Sequence, residues 1–438
     1  MPGGLPLVGH GHLMLRDRLG LMQKARGHGP IVRITVGPRR LTVVNNPGLI
    51  HGMLTREASA FSKGELFEQL KLFGGNPLPI AEGDAHLRRR RQMQPGFHKT
   101  MVSGYVEDMA ATASSAIEAW EPGARLDVMT EMQLIAQSVV MSALFSSVPD
   151  REQAHLIVRS VDTVFRTAIR RSLFPVRALD ALPTRGNRRI AAANAVLRTT
   201  VAGIIEDHRN RPDYEDVVSL LMAAHDDAGE PLSGEDILSE VTALLAAGTE
   251  TTAVTLAWLL HELGRNPELE RRLHQEVDSA LGTNRPTADH LGQLPFTGRL
   301  VRETLRLYAP WIVTRKALRA VPLGGTVLPA GTDVIFSPYA VHRDPALYTD
   351  PDRFDPDRWL PDRPQPPKEA FIPFGSGRRM CIGDVFATTE AIVVMALIAS
   401  KYRLKPVPGA VRRVGAITTH PFGLYMIPEL RSVGGPFL

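Results

Sequence analysis

Over residues 85–280 apolar side chains recur at helical spacing, with breaks at Pro149, Pro175, Pro183 and Pro212. No other feature restricts the fold so strongly: a chain with this much periodic helix must bury one stripe of each helix against another helix or a sheet. The spacing predicts helices over residues 107–120, 129–145, 151–171, 187–210 and 214–225. Residues 173–183 then join two long helices as a surface connection or a lid over a cavity. Strand signals lie outside the helical run. Residues 31–45 read as a β-hairpin turning at Gly37-Pro38, followed by a helix from about Gly48. Turns at Pro322–Gly325 and Val327–Gly331, a strand over 332–336 and short strands after Tyr402 mark a smaller β-rich region. The expected fold class is mainly α, an α+β chain with a large helical lobe, a long central helix and a small β-rich lobe. A single domain over residues 1–438 is expected.

The longest helix should start at Ser233, an N-cap, with Asp236 as the acid of a capping box, and run to about Gly264. Some 30 residues make a rod of roughly 45 Å. Residues 241–260 carry only Glu250 as a charge and are long enough to span a bilayer. The acid sits mid-segment among threonines and no basic flank follows, so a buried core helix is the better reading. Its centre, Ala246-Ala247-Gly248-Thr249-Glu250-Thr251-Thr252, departs from helix logic. Glycine and threonines lower propensity, and a buried glutamate costs energy unless paired or protonated. Packing alone would not select these residues.

Cys381 is the only cysteine in 438 residues and sits in Phe374-Gly375-Ser376-Gly377-Arg378-Arg379-Met380-Cys381-Ile382-Gly383. A helical pattern starts at Asp384, so the thiol lies at a helix N-terminus, where free N–H groups favour a thiolate. The glycines let backbone close around whatever the sulfur binds, and Arg379 can answer a negative group on the same ligand. A lone cysteine is otherwise most often a small buried hydrophobe. One cysteine also excludes an intramolecular disulfide.

The pattern F-x-x-G-x-R-x-C-x-G, carried by Phe374, Gly377, Arg379, Cys381 and Gly383, resembles the haem-binding loop of the cytochrome P450 family. The likeness extends along nearly the whole chain. The centre of the long helix resembles the family's oxygen-binding segment A/G-G-x-D/E-T, matched by Ala247, Gly248, Glu250 and Thr251. The resemblance implies that Cys381 is the metal ligand of haem b, whose thiolate bond favours O–O cleavage. Catalytic roles then fall to Thr251, as hydroxyl donor, and Glu250, as proton relay, while Gly248 lets a diatomic ligand approach the backbone.

Glu303 and Arg306 stand at i and i+3 on a helix over 298–307, which by itself is a weak ion-pair signal. The family buries this pair and joins it to an arginine of a P-x-R motif. Arg358 in Phe354-Asp355-Pro356-Asp357-Arg358-Trp359 fits, with Arg353 as the second choice. The haem carboxylates need cations. The resemblance assigns Arg379, Arg315 before a strand, and the H-x-x-x-R pair His86 and Arg90, with Arg88 and Arg89 on the solvated face or facing an acidic electron donor. Phe374, Gly375, Gly383, Ala247 and Gly248 complete the expected cofactor contacts.

A Gly/Pro-punctuated stretch, residues 61–79, carries Phe67, Leu70, Leu72 and Phe73. It reads as a packed cover or as a pocket wall, and in the family the matching segment covers the substrate. Phe67, Leu70, Phe73, Leu244, Ala247, Ile312 and Val313 are the candidate pocket residues. They imply an apolar, medium-sized substrate, in the secondary-metabolism branch a terpenoid or polyketide.

A net charge of +5 and 6% aromatic residues include no basic tract interleaved with aromatics, so nucleic acid is not expected. The turn-rich start Met1-Pro2-Gly3-Gly4 predicts no membrane anchor, and no fused reductase is expected. The resemblance therefore implies a cytoplasmic, monomeric monooxygenase fed with electrons from NAD(P)H by ferredoxin and ferredoxin reductase. A peroxygenase, a haem-thiolate isomerase and a non-catalytic haem sensor or carrier are the alternatives. The Glu250–Thr251 pair argues against the first two, because neither needs protons delivered for O2 cleavage.

Overall fold

Eleven helices of eight residues or more frame the chain in a computed structural model, which describes residues 1–173, 182–211, 213–225, 229–415 and 418–431. They are α1 (Arg18–Arg26), α2 (Pro47–Leu54), α3 (Gly83–Met93), α4 (Val106–Glu118), α5 (Val128–Phe145), α6 (Arg151–Leu173), α7 (Arg185–Asn210), α8 (Gly234–Arg265), α9 (Pro267–Leu281), α10 (Pro295–Leu307) and α11 (Asp384–Lys401). Side-chain caps start many of them: Asn46, Asp127, Thr184 and Ser233 each accept a bond from a backbone N–H in the first turn.

Four of the five helices expected from periodicity are present to within two residues at either end. The fifth, expected over 214–225, shrinks to Val217–Met222. Asp216 explains the loss: it caps Ser219 N–H and takes a 2.8 Å bond from His208 Nε2, which fixes a start at Val217. The expected lid after Leu173 lies largely outside the described residues.

α8 is the axis of the molecule, 32 residues or roughly 48 Å long. Ser233 caps it as expected, but the capping-box acid behaves differently. Asp236 accepts from the Ser233 hydroxyl at 2.7 Å and pairs with Arg89 of α3 instead of returning to the cap N–H. α4, α5, α9, α10 and α11 pack with α8 into one large apolar cluster that includes Val140, Leu245, Leu256, Leu259, Val393 and Val394. α5 and α8 are long and apolar enough to cross a membrane, yet 67% and 72% of their apolar windows are buried inside the fold.

The β-rich lobe is built on a five-stranded sheet in the order β1 (Ile31–Val36), β2 (Arg39–Val44), β8 (Asp333–Phe336), β5 (Val313–Ala317), β3 (Phe61–Ser62). β1 and β2 form the expected antiparallel hairpin, Ile31 opposite Val44, and β2 runs parallel to β8. β6 (Val321–Leu323) and β7 (Thr326–Leu328) pair about Gly324-Gly325. β4 (Leu126–Asp127), β12 (Tyr425–Leu430) and β9 (Tyr402–Pro406) form a three-stranded sheet, and β10 (Arg412–Gly415) with β11 (Thr419–Phe422) forms a hairpin against α8.

Candidate functional site

The Cys381 loop folds back on itself: Cys381 N–H donates to Phe374 O at 2.9 Å and Met380 N–H to Gly377 O at 3.0 Å. Gly375 and Gly377 adopt φ of +75° and +70°. At Gly377 a Cβ would stand 2.2 Å from the carbonyl oxygen of Leu54, so the loop closes onto the end of α2 only with glycine there. Gly383 is the N-cap of α11, and its N–H donates to the Cys381 sulfur. The thiol itself is exposed. Burial of its surroundings still pushes the thiol up from its usual value, outweighing the Gly383 N–H and the field of Arg90. The helix terminus and the field of Arg90 favour the thiolate, as the sequence suggests, and burial opposes them.

The second open surface lies in the middle of α8. Its neighbours at Leu245, Ala246, Thr249, Glu250 and Thr252 are buried, whereas Ala247 and Thr251, one turn apart, are exposed, with Leu244, Gly248 and Thr255 half-buried beside them. The Thr251 hydroxyl donates to Ala247 O at 2.9 Å, which leaves its lone pairs to the open face. Gly248 also has a packing role that was not expected: a Cβ there would lie 2.5 Å from Val140 Cγ2, so the glycine permits the close crossing of α8 on α5.

Glu250 is 4% exposed and points away from that face. Its carboxylate meets His420 Nε2 at 2.8 Å and the Thr418 hydroxyl at 3.4 Å, both on the β10–β11 hairpin. Sequence reasoning missed His420, because its partner is 170 residues away. It also missed Glu390. This acid of α11 is fully buried beside the Thr252 hydroxyl, but neither its oxygens nor that hydroxyl forms a well-shaped hydrogen bond, and burial holds its pKa well above the usual value.

The expected cations do converge. His86 is buried, and burial together with the nearby Lys63, Arg379, Arg90 and Arg378 pushes its imidazole down to about 3. Arg315, placed inside β5 rather than ahead of a strand, is lowered to about 10 by burial and by Arg379. Lys63, not anticipated, is lowered to about 7 by burial, then by Arg379. Glu82 offsets part of this charge through its pair with Arg379. Two buried nitrogens of Arg379, Nε and Nη1, still have no partner. Positive groups that depress one another, with orphaned donors among them, call for an anion with several oxygens. Arg90 also has a task within the protein. It donates to Met380 O at 2.5 Å and to Gln94 at 3.0 Å, clamping the Cys381 loop to α3. Arg89 likewise leaves the solvated face assigned to it, pairing with Asp236 and with Glu240 at 3.1 Å.

The buried pair on α10 is fully formed. Glu303 and Arg306 are both inaccessible and joined by bonds of 2.9 and 2.8 Å. Glu303 further accepts from Arg358 Nε at 3.1 Å, Trp359 Nε1 at 2.9 Å and Asp355 N–H at 3.0 Å. Arg353, the second choice, gives its carbonyl oxygen, to Arg306 at 3.1 Å and to Arg358 at 3.4 Å. Arg306 also donates to the carbonyls of His342 and Pro351, at 2.8 and 2.7 Å. His342 closes the circuit. Ile372 N–H donates to its Nε2, so Nδ1 carries the proton and donates to Arg306 O at 3.0 Å.

The seven pocket candidates do not share one environment. Phe73 is core, edge-on to Phe165 at 5.0 Å, and Leu70 and Leu244 pack on the same large cluster. Phe67 lies under the Lys63 ammonium at 6.0 Å. Ile312 packs with the N-terminal cluster and Val313 with the sheet cluster, which leaves Ala247 as the candidate on the open face. The segment around them is a packed cover: Lys63 donates to Leu78 O and Pro79 O at 2.7 Å, and Leu78 N–H donates to Glu240 at 2.9 Å.

An open thiol in a glycine loop, a cation cluster short of anions and an exposed alcohol on a buried rod fit an iron porphyrin with two carboxylates. Comparison with known proteins agrees. Residues 1–430 match the family Cytochrome P450. The chain is 39% identical to "Cyclooctatin synthase" of Streptomyces melanosporofaciens, over 98% of this chain and 95% of that protein. It is 38% identical to "Cyclooctat-9-en-7-ol 5-monooxygenase" of the same organism, over 93% and 90%. With "Pentalenene oxygenase" of Streptomyces avermitilis it shares 37%, over 99% and 97%. The crystal structure of the cytochrome P450DA heme domain superposes with a TM-score of 0.89 at 26% identity, covering 100% of this chain and 98% of that one. This chain belongs to the cytochrome P450 family, and it is a haem monooxygenase.

Proposed function

We propose that this protein oxidises a terpenoid, the substrate class of its bacterial relatives, with electrons that start on NAD(P)H and arrive through a ferredoxin and its reductase. The observation that carries the reading is the exposed Cys381 sulfur in a loop that only glycine at 377 allows, beside a cation cluster with unpartnered nitrogens on Arg379. When bound through Cys381, haem supplies O2 activation and transfer of one oxygen atom to an apolar carbon. Arg379, Arg315, His86 and Lys63 hold its carboxylates. An anion there raises the depressed His86 and Lys63, since opposite charge favours their protonated forms. Arg90 fixes the Cys381 loop through Met380 O, and the Glu303–Arg306–Arg358 circuit braces the chain between α10 and that loop.

Thr251 presents its hydroxyl oxygen to the open face and positions a water there. Glu250 supplies protons from the hairpin side. Ala247 keeps the surface at that level small and apolar, which admits a bulky hydrocarbon. The cover formed by residues 63–82, tied down at Leu78 and Pro79, excludes bulk water.

The test has two stages. Reduced protein treated with carbon monoxide should give the absorption band of a thiolate-ligated haem, and Cys381→Ser should lose it. A panel of cyclic terpene hydrocarbons, terpene alcohols and macrolide polyketides is then titrated while the Soret band is followed. Terpenes that shift the band should be oxidised in the presence of ferredoxin, reductase and NAD(P)H. A response to polyketides alone refutes the substrate class, and turnover with hydrogen peroxide but none with ferredoxin refutes the electron source.

A further inference from the structure

We infer that His420 is the positioning residue that carries protons from solvent to Glu250. The inference rests on the proposed role of Glu250 and adds the step before it. Glu250 is only 4% exposed. Its side-chain partners are His420 Nε2 at 2.8 Å and the Thr418 hydroxyl at 3.4 Å, and of the two ionisable side chains the imidazole is the more open, 16% exposed against 6%. Among the described residues none is bonded to His420 Nδ1. A proton from water therefore reaches the carboxylate through the ring.

The hairpin is built to hold this contact. Thr418 and His420 flank Thr419 at the start of β11, and both reach Glu250 of α8. The residue between them is anchored twice: Trp258 Nε1 of α8 donates to Thr419 O, and the Thr419 hydroxyl donates to Ala309 O at 3.2 Å. Pairing of Val414 with His420 fixes the register from the other side. The charged neighbours on β10, Arg412 and Arg413, lie over the rings of Phe422 and of Trp258 and Tyr308, so Glu250 is the charge the imidazole meets.

The transfer conserves protons. Nε2–H donates to Oε1 of the Glu250 carboxylate. A proton taken from water at Nδ1 makes imidazolium, and the Nε2 proton then passes to Oε1, leaving neutral imidazole protonated at Nδ1. After Glu250 gives its proton inward, the ring swings to solvent, takes a proton from water at Nε2, releases the one on Nδ1 and returns as the starting tautomer.

Four proteins test this as loaded holoenzymes: the parent, Glu250→Gln, His420→Gln and His420→Ala. Glutamine keeps a donor toward Glu250 but cannot exchange a proton through itself. Product formed per NAD(P)H and peroxide released are measured with ferredoxin and reductase, together with the solvent deuterium isotope effect. Infrared spectra of the resting proteins identify the Glu250 carboxyl signal as the one lost in Glu250→Gln. Both His420 variants should lower coupled turnover at least about tenfold, raise peroxide and enlarge the isotope effect. Both should shift the infrared signal, with melting temperatures close to that of the parent. If His420→Gln matches the parent while His420→Ala does not, the ring merely holds Glu250 and the proton role is overturned. Parent-like coupling in both His420 variants overturns it as well. Parent-like coupling in Glu250→Gln overturns the proposed role of the acid itself, and a distinct set of data, normal Glu250→Gln turnover, identifies that failure.

Discussion

Gly377 and Leu54 touch through their backbones: a Cβ on Gly377 would be 2.2 Å from the Leu54 carbonyl oxygen, and its φ is +70°. The loop that carries the thiol is thus seated on the end of α2 by the absence of a side chain. Gly377→Ala must both adopt a left-handed conformation and push a peptide carbonyl aside, a strain of order 1–3 kcal/mol before any relaxation. The expected result is a lower melting temperature and a reduced ratio of Soret to protein absorbance, whereas Gly375→Ala, with no atom within 4 Å of its Cβ, meets only the conformational part. Equal haem content in the two variants would contradict this.

Glu303, fully buried, collects five hydrogen bonds, from Arg306 twice, Arg358, Trp359 and Asp355 N–H. Glu303→Ala leaves Arg306 buried and uncompensated, at a cost of about 3–5 kcal/mol. Trp359→Phe removes one of the five bonds and costs about 1–2 kcal/mol. Denaturant titration of the two purified variants checks the order: the alanine variant is expected to yield little haem-loaded protein, the phenylalanine variant a modest loss.

Glu390 keeps its proton in the fold well above the usual value of 4.5, because burial penalises the charged form. Between those two values the unfolded chain releases a proton that the native state retains. Stability therefore falls as pH rises, by about 1.4 kcal/mol per pH unit at most. Glu390→Gln removes this dependence at nearly constant shape. Melting curves between about pH 5 and pH 8 should show the variant gaining on the parent as pH increases, and parallel curves would mean that the carboxyl is ionised in the native state.

Lys63 has the opposite sign. Burial lowers its ammonium from 10.5 to about 7, so above that pH the native state has lost a proton that the unfolded chain still holds. Haem-free protein should gain stability as pH rises from about 7, and Lys63→Met should abolish the gain. Haem loading should abolish it too, since carboxylates among these cations restore the charge on Lys63. A gain that persists in the loaded protein would place the haem carboxylates elsewhere.

The sequence by itself determined the helical frame, the central rod and the loop around Cys381, because periodicity, caps and glycine positions act over a few residues and leave their mark there. The family resemblance chose Arg358 over Arg353, which the bond to Glu303 matches, and grouped His86, Arg315 and Arg379, which the fold brings together. Only the tertiary structure decided what each group faces. Gly248 turned out to serve the crossing with Val140, Arg89 to bridge α3 to α8, and Phe73 to be core. Lys63 joined the cations from a strand end with no sequence signal, and His420 reached Glu250 across 170 residues. The reason is one of range. Local propensity sets which way a segment folds, while burial and charge compensation depend on partners that chain topology brings in from afar.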